Sequence, residues 1–167
     1  MKRILLTGMS GTGKSTVIGE LAARGYKAVD ADCDEFSERV ESKGDSGPYG
    51  LPVEFDKDWV WREDRIQDLL STEDTDLLFL GGCAENMRNF LPQFDLIILL
   101  SAPADVIVER LHKRTNNPYG KRPDEIARVL GLVETVEPLL RHAAGHEIDT
   151  SACLEDVVAT LLQLVQS

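Results

Sequence analysis

Apolar residues fall into two kinds of run along this chain. Some runs are short and nearly continuous: RILLT (3–7), DLLFLGG (76–82) and DLIILLS (95–101). Runs without polar alternation suit strands buried on both faces. YKAVDA (26–31) and HEID (146–149) read as two further strands. The other runs have helical spacing. A helix is predicted from about Lys14 to Arg24, with Gly25 placed to end it. Another is predicted over roughly 33–42, and one over 57–71 with Trp59, Ile66, Leu69 and Leu70 on one face. A helix over 103–114 opens on Pro103, and one from 123 is disturbed at Pro138. The last carries Leu154, Val157, Val158, Leu161, Leu162 and Val165 on one stripe. SKGDSGPYGLP (42–52) and RTNNPYGKRP (114–123) read as loops. Strands alternating with helices predict an α/β fold, a parallel sheet with helices on both sides.

Length and charge narrow the field. A chain of 167 residues suits one domain with a substantial core. The net charge of −11 opposes a nucleic-acid backbone, so no nucleic-acid partner is expected. No apolar run reaches the ~18 residues that span a bilayer, and MKRILLTG is too short in apolar residues for a signal peptide. A cytoplasmic protein without a membrane partner is expected, monomer or homodimer. Cys33, Cys83 and Cys153 lack CxxC spacing and read as small buried or half-buried thiols.

The chemistry begins at GMSGTGKS (8–15), which fits G-x-x-x-x-G-K-[ST] between a strand and a helix. Gly8, Gly11 and Gly13 let the backbone turn its N–H groups inward on phosphate oxygens. The helix that follows aims its positive end at the same place. Lys14 then neutralises the β and γ phosphates, and the Ser15 hydroxyl ligates Mg²⁺. The stretch Gly8, Met9, Ser10, Gly11, Thr12, Gly13, Lys14, Ser15 and Thr16 is the expected cradle for ATP, with GTP left open by the motif.

A GTPase would carry DxxG and NKxD motifs, and neither is present. A motor ATPase would end a strand in an acid, where this chain has Gly81-Gly82. A small-molecule kinase accounts for VDAD (29–32), because ligands bind at the carboxyl ends of such strands. Asp30 and Asp32 share a parity. Asp30 is expected in the Mg²⁺ shell, and Asp32 is expected to take a hydrogen bond or proton from the attacking hydroxyl. The plainer role for Asp32 is capping the next helix.

Five of the 18 basic residues are Arg110, Lys113, Arg114, Lys121 and Arg122, a concentration that reads as a lid closing over ATP. Arg122 is expected on the charge that develops during transfer, and Arg110 and Arg114 on the nucleotide. A solvated basic helix end is the simpler alternative. Arg62 shares a helix face with Trp59 and Ile66, so it needs an anion: the acceptor's, or an internal carboxylate for which Asp32 is a candidate. Arg88 and Asn86 lie within reach of an acceptor after the third strand. Trp59 and Trp61 read as packing, and the three histidines as bland.

These motifs resemble the P-loop small-molecule kinases, the group of shikimate, gluconate, dephospho-coenzyme A and adenylate kinases. GMSGTGKST resembles the shikimate kinase phosphate loop, and VDAD its strand-end V-D-T-D. WREDR (61–65) is similar to its F-R-x-x-E, which implies an acceptor-binding Arg62. FLGGC (79–83) resembles its Gly-Gly-Gly, implying that the acceptor lies against Gly81 and Gly82. Arg114 and Arg122 resemble its lid arginines, and HEIDTS (146–151) implies Thr150 and Ser151 beside adenine. Three positions depart from that family: Cys83 stands for the third glycine, Arg65 for a glutamate, and Val136 for an arginine that helps hold the shikimate carboxylate.

The expected fold is a three-layer P-loop NTPase: a five-stranded parallel sheet, helices on both faces, and small lid and acceptor-binding helices. One domain is expected over 1–167, with an acceptor region at about 33–71 and a lid at about 114–123. The expected activity is Mg²⁺-dependent transfer of the γ-phosphate of ATP to a hydroxyl or phosphate of a small metabolite. The alternatives are a nucleoside or nucleotide monophosphate kinase, and a nucleotide-gated regulator without an acceptor.

Overall fold

The computed structural model describes residues 1–9, 11–39, 59–113 and 121–166. Five parallel strands form the central sheet: β1 (Lys2–Thr7), β2 (Lys27–Asp30), β5 (Leu77–Gly81), β6 (Leu96–Ser101) and β7 (His146–Asp149), in the spatial order β2-β5-β1-β6-β7. A separate antiparallel pair, β3 (Ser37–Arg39) and β4 (Trp59–Trp61), stands beyond the tip of β2. The helices are α1 (Lys14–Ala23), α2 (Glu63–Ser71), α3 (Ala104–Lys113), α4 (Pro123–Thr135), α5 (Glu137–Ala143) and α6 (Leu154–Gln166). Among the described residues no helix is long and apolar enough to cross a membrane.

Alternation along the strands makes two cores. Leu5, Leu78, Leu80 and Leu99 face one side, where they meet Ile66 and Leu70 of α2 and Leu140 of α5. Ile4, Leu6, Phe79, Ile98 and Leu100 face the other, against Val17, Ile18 and Leu21 of α1 and the α6 stripe. The strand runs are apolar throughout because both sides of the sheet are covered. Burial on this scale, ~25 cal/mol per Å² of apolar surface, dominates the stability of such a domain.

Two predicted helices are corrected. The stretch from residue 33 is a single turn, with the Phe36 and Ser37 amides both on the Cys33 carbonyl (3.1 and 2.8 Å), followed by β3. The buried Ser37 hydroxyl bonds the Ala31 carbonyl at 2.5 Å, which holds the chain in this turn. The expected helix over 57–71 begins only at Glu63, because Trp59–Trp61 pairs with β3 and Arg62 is extended (ψ 101°). Aromatic and β-branched residues favour that pairing, while Glu63 and Asp64 suit the first turn of α2. Among the described residues, the region expected to bind the acceptor is thus a strand pair leading into one helix, in place of helices alone. The predicted loop over 42–52 and most of the predicted lid lie outside the described residues. The break at Pro138 is observed: α4 ends at Thr135 and α5 starts at Glu137.

Candidate functional site

The site gathers at the carboxyl ends of β1, β2 and β5. After β1 the chain turns through Gly8, whose added Cβ would collide with the Leu100 carbonyl. Gly13 caps α1 at φ 92°, a conformation that strains any residue with a side chain. Lys14 folds back into the loop and donates to the Gly8 and Met9 carbonyls at 2.5 and 3.0 Å. It is 9% exposed, and among the described residues these two backbone carbonyls are the partners of its ammonium. Thr12 donates to the Met9 carbonyl at 2.7 Å, and Thr150 to the Thr12 carbonyl at 2.6 Å. The Met9 side chain faces the core, so only its backbone belongs to the loop. Thr16 is exposed at the start of α1. Ser10 lies outside the described residues.

Asp30 joins this loop to the tip of β2. Its Oδ2 accepts the Ser15 hydroxyl at 2.6 Å, and its Oδ1 accepts the Asp32 amide at 2.9 Å. The second contact closes an Asx turn. β2 therefore ends at Asp30, and Asp32 leaves the strand's alternation. Asp32 caps no helix; its Oδ1 lies 3.4 Å from the Cys83 amide at the end of β5. Loop, Asp30, Asp32 and β5 thus form one connected row. Hard oxygen donors paired as in Ser15 and Asp30 suit Mg²⁺ better than softer metals. Among the described residues no cluster of three or more His, Cys, Asp or Glu could hold a metal unaided. An ion bound here would need further ligands from outside these side chains, such as phosphate and water.

On the nucleotide side, Arg110 of α3 donates to Thr150 Oγ1 at 2.8 Å, to the Thr150 carbonyl, and to the Gly11 carbonyl at 3.3 Å. This clamps the loop after β7 onto the phosphate loop. Ser151 donates to Asp149 and is itself exposed, and that bond holds the Asp149 carboxyl below its ordinary value. Arg122 does not reach this cluster. It is exposed at the start of α4 and pairs with Asp124 at 3.2 Å. Lys121 bonds the Leu111 and His112 carbonyls and so caps α3. Arg114 lies outside the described residues.

On the acceptor side, Arg62 is already engaged, by Glu38 at 2.8 Å and the Asp34 carbonyl at 3.0 Å. The internal carboxylate is thus Glu38 and not Asp32. Gly81 and Gly82 are occupied by packing: an added Cβ would lie 2.7 Å from Ile18 at the first and 3.1 Å from the Trp61 indole nitrogen at the second. Their carbonyl and amide bond Ala31 and Leu6 respectively. Arg88 is exposed in the short 3-10 turn Met87–Asn89. Asn86 clamps both backbone groups of Trp61, at 2.8 and 2.9 Å.

Sequence reasoning, which read Trp61 as packing, missed three buried polar atoms without partners. Trp61 is 1% exposed and its indole N–H has no partner, which costs about 1–3 kcal/mol. Glu137 is buried with one oxygen on Arg141 at 2.8 Å and the other unpartnered. Arg128 of α4 has a buried, unpartnered guanidinium nitrogen. No local signal marks these atoms as unpartnered, because their burial comes from elements distant in the chain.

Comparison with known proteins shows what the chain as a whole is similar to. The family described as "AAA domain" matches residues 4–137. The shikimate kinase of Halorhodospira halophila is 30% identical over 154 residues, covering 89% of this chain and 84% of its own. That of Psychrobacter arcticus is 33% identical over 146 residues, covering 84% and 76%. Among solved structures, shikimate kinase from Acinetobacter baumannii in complex with shikimate matches with a TM-score of 0.65 at 23% identity, covering 99% of this chain and 93% of that one. A gluconokinase from Sinorhizobium meliloti matches at 0.62 with 21% identity, covering 99% and 94%. The structural likenesses establish a shared fold, a parallel sheet with helices on both sides.

Proposed function

Because the chain belongs to the P-loop small-molecule kinases, we propose that it transfers the γ-phosphoryl group of ATP to a hydroxyl of a small metabolite, with Mg²⁺. The observation that carries this reading is the row Ser15–Asp30–Asp32–Cys83, which links a phosphate loop to the acceptor side by hydrogen bonds of 2.6, 2.9 and 3.4 Å.

The residues divide the work. The loop over 8–16 receives the phosphates on its amides, and Lys14 exchanges the Gly8 and Met9 carbonyls for phosphate oxygens. Ser15 and Asp30 hold the metal's first or second shell. Bound there, Mg²⁺ offsets the negative charge of the transferring group. Asp32 orients the acceptor hydroxyl and takes its proton. A bond forms from that oxygen to the γ phosphorus, the bridging oxygen–phosphorus bond breaks, and ADP leaves with the electron pair. Arg110, Thr150 and Ser151 border the base of the nucleotide. Arg122 would have to move with the lid to reach the phosphates, since in this structure it pairs with Asp124.

The test is coupled ADP release over hydroxy acids, sugars, nucleosides and mononucleotides, with and without chelator. Lys14→Ala and Asp32→Asn are each expected to lower transfer by about two decades or more, ~2.7 kcal/mol in the barrier. Nucleotide binding without any metabolite-stimulated ADP release would leave a nucleotide-gated regulator as the reading.

A further inference from the structure

Arg128 carries a guanidinium whose Nη2 is buried and has no hydrogen-bond partner, and among the described residues no carboxylate pairs with it. Arg128 is half-buried as a residue, and a buried donor left without a partner costs free energy until something satisfies it. Its place on α4 is informative. Four and eight residues on, Leu132 and Val136 pack against the cluster that contains Met9, Ala31 and Trp61. Residues at that spacing share a helix stripe. One residue on, Val129 packs with Ile107 and Leu111 of α3. Those two side chains lie 3.0 and 3.4 Å from where a Cβ on Gly11 would stand. α4 thus packs both on the α3 residues beside Gly11 and on the cluster that holds Met9, Ala31 and Trp61.

We propose that Arg128 is an oxyanion-binding residue on the acceptor side of Lys14, and that a bound oxyanion completes its guanidinium. The proposal rests on the kinase reading and deepens it. Two sources supply that chemistry: an anionic group on the acceptor, or the phosphoryl group in transfer. Arg122, the cation expected from the sequence, is exposed and paired with Asp124, so it does not compete for the same position in this structure.

Arg128→Met keeps most of the side-chain bulk and removes the charge. Its melting temperature is expected to equal or exceed the wild type's, since an unpartnered buried donor is lost. Kinetics use shikimate and D-gluconate as anionic probes and D-glucitol as a neutral one. If the oxyanion belongs to the acceptor, KM for whichever anionic probe is turned over rises about tenfold or more while ADP affinity is unchanged. If it is the transferring phosphoryl, kcat falls about tenfold or more with every acceptor. Unchanged KM and kcat with a lowered melting temperature overturn the proposal and leave Arg128 a packing residue.

A second arm does not depend on turnover. With the phosphate loop saturated by Mg·ADP, inorganic phosphate is expected to raise the melting temperature of the wild type and not of Arg128→Met. Equal shifts in both proteins overturn the proposal. Absence of ADP release with every probe counts against the kinase reading, and the phosphate arm then decides Arg128 by itself.

Discussion

Gly81→Ala separates two roles for the end of β5. The family resemblance lays an acceptor against this glycine; the structure turns its α-carbon toward Ile18 in α1. A Cβ built there stands 2.7 Å from Ile18 Cγ1 and 3.2 Å from Cδ1. Gly81 is not among the positive-φ glycines, so backbone strain does not enter and the effect is steric. Ile18 is 4% exposed and belongs to the helix that starts at Lys14, so it has little room to swing away. Overpacking of this kind costs about 1–3 kcal/mol. For a chain of this size that lowers Tm by roughly 2–12 °C. Ile18→Ala by itself costs about 2–5 kcal/mol through the cavity it leaves. In the double variant the new methyl occupies part of that cavity. The pair should then be more stable than the sum of the single effects by about 1–2 kcal/mol. Urea unfolding of the four proteins gives the coupling directly. Additivity within about 0.5 kcal/mol would refute the packing role. So would a Gly81→Ala protein that keeps its stability and loses acceptor affinity.

Three other outcomes follow from the contacts. Asp30→Asn keeps an Oδ1 for the Asp32 amide and removes the charge beside Ser15; transfer should fall about two decades at saturating ATP, and a loss below threefold would remove Asp30 from the metal shell. Trp61→Phe deletes an unpartnered donor and keeps an aromatic ring, so it should destabilise by less than about 1.5 kcal/mol, against about 3–5 for Trp61→Ala; equal losses in urea unfolding would mean that the indole N–H has a partner. Glu147 accepts from Arg141 at 2.6 Å, and this bond, opposed by burial and helped by the Ser101 hydroxyl, holds its carboxyl below the ordinary 4.5. A depressed folded-state pKa stabilises above the unfolded value and is lost as pH falls through the folded one. Melting curves from pH 7 to 3 should therefore show a shallower acid limb, below 4.5, in Glu147→Gln than in the wild type; parallel limbs would mean that the contact does not contribute.

How much of this was legible in the sequence differs by element. The five strands of the sheet, α1, α3 and α6 were readable because their signals are local: continuous apolar runs, one helical stripe, and glycine at the turns. GMSGTGKS and VDAD were readable for the same reason, since the chemistry sits in consecutive residues next to strand ends. The stretch 33–39 was misread as helix because its charges have no period of their own. Its partner, Trp59–Trp61, lies 20 to 24 positions away in register, and pairing with it decided the structure.

The sequence by itself determined the α/β class, the phosphate cradle and the acidic tip that faces it. Tertiary structure alone decided which polar groups are occupied. Arg62 is engaged by Glu38, Gly81 and Gly82 accommodate Ile18 and Trp61, and Arg122 stands in solvent beside Asp124. It also left Trp61, Glu137 and Arg128 with buried polar atoms that no described residue satisfies. The physical reason is range. Backbone propensity and periodicity act over a few neighbours, and the sequence displays them. Desolvation and pairing of a side chain depend on what distant segments bring against it, and only the folded chain makes those meetings.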